Sequence, residues 1–158
     1  MTRWWPPLKK WLLFRLINWW PPYFGSGIRV TRLDLHGGVV EVRMKLHWWN
    51  RNYVGTHYGG SLYSMCDPFY MLILIERLGR GYVVWDKRAS IRFRKPGRGT
   101  MRARFEITDD EIAGIRATAD REGKAEPLFT TRILDQDDQV VADVEKLIHV
   151  KRERKKNR

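Results

Sequence analysis

Between His57 and Glu76 the chain carries a single Asp, Glu, Lys, Arg or His, and that residue is Asp67. It sits in the stretch Asn50–Arg77, NRNYVGTHYGGSLYSMCDPFYMLILIER, a polar, glycine-punctuated loop that runs into a segment apolar on nearly every side. A helix that is hydrophobic all round is normally buried. A carboxylate in such surroundings is costly unless it is paired or hydrogen-bonded, and such groups cluster at functional sites. The stretch therefore predicts a covered central helix with a functional acid near its start.

At 158 residues the chain suits one compact domain with its own core. Its 43% hydrophobic and 13% aromatic content is that of a globular chain. One cysteine, Cys66, excludes an intrachain disulfide framework and any multi-cysteine zinc site. In its apolar run it reads as a buried small hydrophobe rather than a nucleophile. Nothing demands an oxidising compartment, so the expected location is the cytoplasm, with association to a membrane as the alternative. The net charge of +12 is partly local, because Lys151–Arg158 holds six cations and one anion. Basic chains bind nucleic acids, anionic membranes or phosphorylated small molecules. Here the basic residues are dispersed and form no recognised nucleic-acid motif, so nucleic acid is not the expected partner.

Residues 1–24 form a Trp-rich segment bracketed by Pro6-Pro7 and Pro21-Pro22, which predicts a helix from about Leu8 to Trp20. That helix either packs over the domain or at a subunit contact, or lies in a membrane interface as a peripheral anchor. The segment has no small-residue cleavage site and is not read as a secretory signal. Ile28–His36 and Val39–His47 read as a hairpin turned at Gly37-Gly38. Tyr82–Arg94 reads as a strand with Val83, Trp85, Ala89, Ile91 and Phe93 inward and Asp86, Arg88, Ser90, Arg92 and Arg94 outward. On this count Lys87 falls on the apolar side, where a bulge or a snorkelling side chain would relieve it. A strand through Met101–Ile107, a helix capped at Thr108 or Asp109 and ended by Gly123, and a hairpin of Leu128–Leu134 with Val140–Val150 complete the order. The division is 1–24 helical segment, 25–150 main domain and 151–158 basic, mobile tail. The class is α+β, with one curved antiparallel sheet wrapped around the long helix.

Asn52, then His57-Tyr58-Gly59-Gly60, then Asp67 resembles the Asn…His-Gly-Gly…Asp signature of phenylacetyl-CoA-type hotdog thioesterases. In this chain Tyr58 separates the His from the two glycines. The wider runs NRNYVGTHYGGSLYSMCDP, YVVWDKRASIRF and VVADVEKLIHV are similar to a hotdog branch called domain of unknown function 4442. Its members are usually described as acyl-CoA thioesterases. The resemblance implies the hotdog fold and a homodimer or homotetramer with active sites between subunits. It also implies an acyl-CoA or acyl-carrier thioester as substrate, with coenzyme A entering as part of the substrate and no separate cofactor.

Thioester hydrolysis needs an activated water or an attacking carboxylate, a held oxyanion and an aligned acyl chain. On this reading Asp67 is general base or nucleophile, and the Gly60 amide at a helix start is the oxyanion donor, with Gly59 beside it. Asn52 and His57 are candidates to hold or polarise the substrate carbonyl. Ser61 and Ser64 are secondary donors, and Arg92 and Arg94 contact the phosphates. Each has a plainer reading. Gly59-Gly60 can simply make the turn, and Asp67-Pro68 also looks like an N-cap followed by a first-turn proline. Asn52 and His57 can build the loop, and the arginines can be a solvated strand face. Ser61 lacks the flanking pattern of a nucleophile elbow. The four histidines have no metal-ligand spacing, so no metal is expected. The alternative function is a non-catalytic acyl or acyl-CoA binding protein at a membrane surface.

Overall fold

The computed structural model describes residues 16–153. One antiparallel sheet forms the body of the molecule, built from β1 (Ile28–Asp34), β2 (Val39–Lys45), β3 (Tyr82–Phe93), β4 (Thr100–Glu106), β5 (Lys124–Ala125), β6 (Leu128–Leu134) and β7 (Val140–Arg152). The strand order is β1-β2-β4-β6-β7-β3, with the short β5 added against β7. Along β2, Val40, Val42 and Met44 point inward, and they face Phe105, Ala103 and Met101 of β4 across the ladder. This alternation defines one apolar face, and the central helix lies on it.

That helix is in two pieces, and the restart falls at Asp67-Pro68, where the sequence also allowed a helix start. A short α2 (Gly59–Ser64) and a longer α3 (Phe69–Leu78) are separated at Met65–Pro68. Proline has no N–H and crowds the carbonyl four residues back. Here that carbonyl belongs to Ser64, and it instead accepts the Tyr23 hydroxyl at 3.3 Å. Phe69, Tyr70, Ile73, Leu74 and Leu78 turn a buried stripe of α3 onto the sheet. Burying each such side chain contributes roughly 2 kcal/mol. The opposite flank, with Met71, Leu72 and Ile75, is only partly covered, and Ile75 is exposed.

The prolines at 21 and 22 also act differently from the expected stop. Residues 16–19 are helical, and Pro21 then opens a new short helix, α1 (Pro21–Ser26), whose first turn tolerates the missing N–H. Gly27, in the left-handed region at φ 71°, ends it. The part of the predicted helix before residue 16 lies outside the described residues.

Helix α4 (Asp109–Glu122) begins as expected at Thr108, which forms a reciprocal capping box with Glu111, and it ends at Gly123. Ile112 is its buried anchor. The last strand runs to Arg152, with Lys151 and Arg152 paired to Val83 and Tyr82, two residues beyond the expected start of the tail. Residues 154–158 lie outside the described residues.

One departure in β3 decides the site. The register with β7 shifts between Asp86 and Arg88, so Lys87 is the extra residue of a bulge. The bulge was one of the two expected reliefs for Lys87. It also inverts the phase of the strand before it. Val84 and Asp86 face the buried Val150 and Ile148, whereas Trp85, expected inward, is exposed and lies against His149 on the outer side. Lys87 itself reaches Glu126 at 2.8 Å.

Candidate functional site

The segment 47–58 is held together by its own polar side chains. The buried Asn50 accepts the His47 N–H at 2.6 Å and donates to the carbonyls of Ser26 and Lys45, each at 2.8 Å. Asn52 accepts the Thr56 N–H at 3.0 Å and donates to the Thr56 hydroxyl and the His57 carbonyl. His57 is buried. Its backbone N–H donates to the Gly97 carbonyl, and its Nε2 lies 3.0 Å from the Gly99 carbonyl. Burial holds the imidazole below its ordinary pKa, so the ring is neutral and donates this bond. Nδ1 is buried without a hydrogen-bond partner among the described residues. Asn52 and His57 thus fix the loop to the turn at 97–99, and neither hydrogen-bonds to Asp67.

The loop delivers Gly59 and Gly60 to the start of α2. A Cβ on Gly59 would come within 3.0 Å of the Phe93 ring, and one on Gly60 within 2.4 Å of the Tyr58 ring. A side chain at either position would displace an exposed aromatic ring from the loop–helix junction. Ser61 and Leu62 donate to the Tyr58 carbonyl, which leaves the Gly59 and Gly60 N–H groups ahead of the first helical bond. Ser64 Oγ donates to the Gly60 carbonyl at 2.8 Å, and Ser61 is buried.

Asp67 lies in the break between the two helices. It does not cap α3, because the N-cap there is Pro68 and no side chain caps that end. Its carboxylate reaches sideways to the sheet. Oδ1 accepts the Tyr63 hydroxyl at 2.8 Å and the Lys146 ammonium at 3.0 Å. Oδ2 makes no hydrogen bond among the described residues, and the side chain is 50% exposed. The acid is therefore anchored through one oxygen and free through the other.

Lys146 is the centre of this cluster and its side chain has 0% exposure. Besides Asp67 it touches Asp86 Oδ2 at 3.2 Å and the Tyr63 hydroxyl at 3.1 Å, and it sits 5.3 Å from the centre of the Tyr63 ring. Burial pulls its pKa down. The hydrogen bonds to Tyr63 and Asp67 and the two nearby carboxylates outweigh this, and the net shift is upward. The ammonium stays charged. Burial raises the Asp86 carboxyl against the opposing pull of Lys146. Burial likewise raises the Tyr63 hydroxyl, which remains a donor. Cys66, next to Asp67 in the chain, is buried with its thiol pushed well up, which suits a packed hydrophobe and not a nucleophile.

Three of these four residues, Tyr63, Asp86 and Lys146, were not singled out from the sequence. Asp86 was placed on the wet face because one unbroken alternation was carried through Lys87, although a bulge there was among the expected reliefs. Lys146 had a legible signal, since it stands in phase with Ala142, Val144, Ile148 and Val150 on the buried side of β7. A lysine between inward valine and isoleucine needs a partner. Asp67 supplies one from the helix and Asp86 another from the neighbouring strand.

Beside the cluster the inner surface is not fully covered. Ala89 sits directly opposite Lys146 across the ladder, and Phe93 lies one pair beyond Ile91 on the same face; both are exposed. Both belong to the edge strand β3, and the Phe93 ring lies close to Gly59 at the start of α2. Arg92 and Arg94 point the other way, onto the outer face of the sheet. They line a shallow groove of about 1150 Å³ with Arg43, Arg102, Arg104 and Arg132. Arg94 is paired with Asp143 at 2.6 Å, while Arg92 has no ion pair among the described residues. This groove does not include Asp67. Among the described residues no group of three or more His, Cys, Asp and Glu is arranged to hold a metal ion, and no helix is long and apolar enough to cross a membrane.

The model of the family called domain of unknown function 4442 matches residues 9–150. No curated protein matches the chain. Among solved structures, PA5026 from Pseudomonas aeruginosa, described as a probable thioesterase, is 24% identical with a TM-score of 0.82, covering 93% of this chain and 98% of its own. Thioesterase HI1161 from Haemophilus influenzae is 12% identical with a TM-score of 0.64, covering 93% of both chains. The E. coli PaaI protein from the phenylacetic acid degradation operon is 18% identical with a TM-score of 0.60, covering 89% of both. The sheet wrapped on a central helix is therefore the hotdog fold.

Proposed function

The chain belongs to the family called domain of unknown function 4442, and from that premise we propose that it is an acyl-CoA thioesterase whose acid is Asp67. The observation that carries this is the anchoring of Asp67 through Oδ1 by Lys146 and Tyr63, with Oδ2 left free and half exposed beside uncovered apolar surface. A base held in one orientation with one open oxygen is suited to take a proton from water.

In the proposed reaction Asp67 Oδ2 removes a proton from a water as its oxygen attacks the thioester carbonyl carbon. The tetrahedral oxyanion is met by the Gly60 N–H. Collapse breaks the C–S bond, and the thiolate takes the proton back from Asp67, giving free coenzyme A and the carboxylic acid, which loses its own proton to solvent. In the variant path Asp67 itself attacks and forms a mixed anhydride, which water then hydrolyses. Lys146 is a positioning residue in either case, because it holds the carboxylate and stays outside the reacting atoms. Asn52 and His57 act at one remove by shaping the loop that presents Gly59 and Gly60. The acyl chain follows Phe93, Ala89 and the Met71–Ile75 flank of α3. That surface and the edge of β3 are where a second copy would close the slot, which supports a homodimeric site. Arg92, without an ion pair among the described residues, is a candidate on the outer face for a phosphate.

The ion pair between Asp67 and Lys146 also favours a second reading, an acyl-CoA binding protein in which the pair merely ties the helix break to the sheet. A hydrolysis screen across acyl-chain lengths with wild type and Asp67→Asn separates the two. The proposal expects wild-type turnover, loss of turnover in the variant and retained acyl-CoA binding. Equal turnover in both proteins would remove Asp67 from the mechanism, and binding without any turnover would leave the second reading.

A further inference from the structure

At the opposite edge of the sheet from β3, the outer face carries like charges in direct opposition. Arg29 of β1 pairs across the ladder with Arg43 of β2, and Lys45 lies two residues further along the same face. Like charges directly opposite on neighbouring strands are destabilising. None of these three cations has an acidic partner among the described residues. They line one groove of about 940 Å³, and that groove has no Asp or Glu in its lining. Arg29 donates to the Asn18 carbonyl at 2.8 Å, but no carboxylate among the described residues offsets the charge of the three, and a local conflict of this kind is the mark of a surface that is completed by something else.

The rim of the groove is aromatic. Phe24, Trp48 and Trp49 line it. Trp19 stacks on Phe24 at 5.5 Å, and the Arg29 guanidinium lies over both rings at 5.9 and 5.6 Å. Trp49 stacks on His47 at 4.2 Å and meets Trp48 edge-on. Yet Trp48 is 75% exposed and Trp19 is 66% exposed. A small free anion would satisfy the cations and leave these indoles in water. A bilayer surface takes both, because indole rings settle at the headgroup level while basic side chains meet lipid phosphates.

We propose that this face, formed by residues 19–29 and 43–49, docks the protein peripherally on a membrane containing anionic phospholipid, with a headgroup phosphate between Arg29, Arg43 and Lys45. The sequence placed membrane contact in residues 1–24 alone; the structure adds the second strand and the Trp48-Trp49 corner, which lie outside that segment. The inference stands apart from the hydrolase reading, since it uses none of the residues assigned to the chemistry.

The test is flotation of the full chain with vesicles of phosphatidylcholine alone and of phosphatidylcholine mixed with phosphatidylglycerol. Wild type is expected to float with the mixed vesicles only, and less so at high salt. Arg43→Glu/Lys45→Glu is expected to weaken that partitioning by roughly tenfold or more, and Trp48→Ala/Trp49→Ala to reduce it as well. Circular dichroism of both variants should match wild type, because all four side chains are on the surface. The inference fails if wild type stays at the bottom of both gradients. It also fails if either double variant floats as wild type does, or if wild type binds the two vesicle types equally. Saturable binding of soluble coenzyme A without vesicle capture would make the groove a nucleotide site and overturn it too.

Discussion

Two polar regions meet the central helix, and they use their polar groups in opposite ways. In the loop before the helix, Asn50, Asn52 and His57 spend their hydrogen bonds on nearby backbone, on Ser26, Lys45, Thr56, His57 and Gly99. In the cluster at its break, Tyr63, Asp67, Asp86 and Lys146 bond to one another across helix and sheet, and Asp67 Oδ2 stays open. The first region is a clamp with little left over. The second is a charged network, three of whose members are partly open to solvent and one of which has 0% exposure. The difference teaches that a motif residue can be spent on loop geometry, while a residue outside any motif holds the proposed catalytic acid.

The sharpest way to break this comparison is to remove the free acid. Asp67→Asn keeps the volume and the Tyr63 contact but cannot accept a proton. Turnover should fall on the order of 10³-fold, read as steady-state hydrolysis, with thermal stability close to wild type. Lys146→Met comes next. It strands Asp86 beside a neutral methylene chain, and loss of one partner from a buried pair costs about 3 kcal/mol. Turnover should drop together with stability, measured by urea unfolding, and Lys146→Met/Asp86→Leu should recover part of the stability but not the turnover. The pH sign follows from the raised lysine. Its contribution is full below its ordinary 10.5 and is lost as pH rises through the higher folded value, so the methionine variant should lack that alkaline fall.

Substitutions in the loop should behave differently. Asn52→Ala and His57→Ala each remove buried hydrogen bonds, at about 1–2 kcal/mol, and should change turnover by a few-fold at most once the protein is folded. The smallest effect belongs to Glu126, away from both regions. Hydrogen bonds from Lys87 and His149 hold its carboxyl down to about 2, against an ordinary 4.5. A lowered acid contributes stability above 4.5 that is lost as pH falls toward 2. Glu126→Gln should therefore be slightly less stable than wild type at neutral pH, where the contribution is full, and the two curves should converge as pH falls through that window toward 2, which flattens the acid limb.

Much of this molecule was legible in the sequence where one periodicity ran uninterrupted. Val40, Val42 and Met44 alternate cleanly, and so do Met101, Ala103 and Phe105, and all of them became core. The Thr108 cap, Gly123 and the hairpin around Asp135 were equally plain. Asp67 stood out because nothing else charged lay near it. What stayed hidden depended on a change of phase. A single extra residue at Lys87 moved Asp86 from the wet face to the inner one. Lys146 was visible in its alternation, but a lysine among valines reads first as a side chain that snorkels to solvent. Its partners come from 79 and 60 positions earlier in the chain, and only the fold brings them together.

The central claim is that chemistry resides in the Asp67 cluster and not in the loop. The direct measurement is single-turnover hydrolysis of an acyl-CoA by Asp67→Asn and His57→Ala, each compared with wild type. The account predicts near-complete loss in Asp67→Asn and a rate within a few-fold of wild type in folded His57→Ala. Full activity in Asp67→Asn, with loss in His57→Ala, would contradict it.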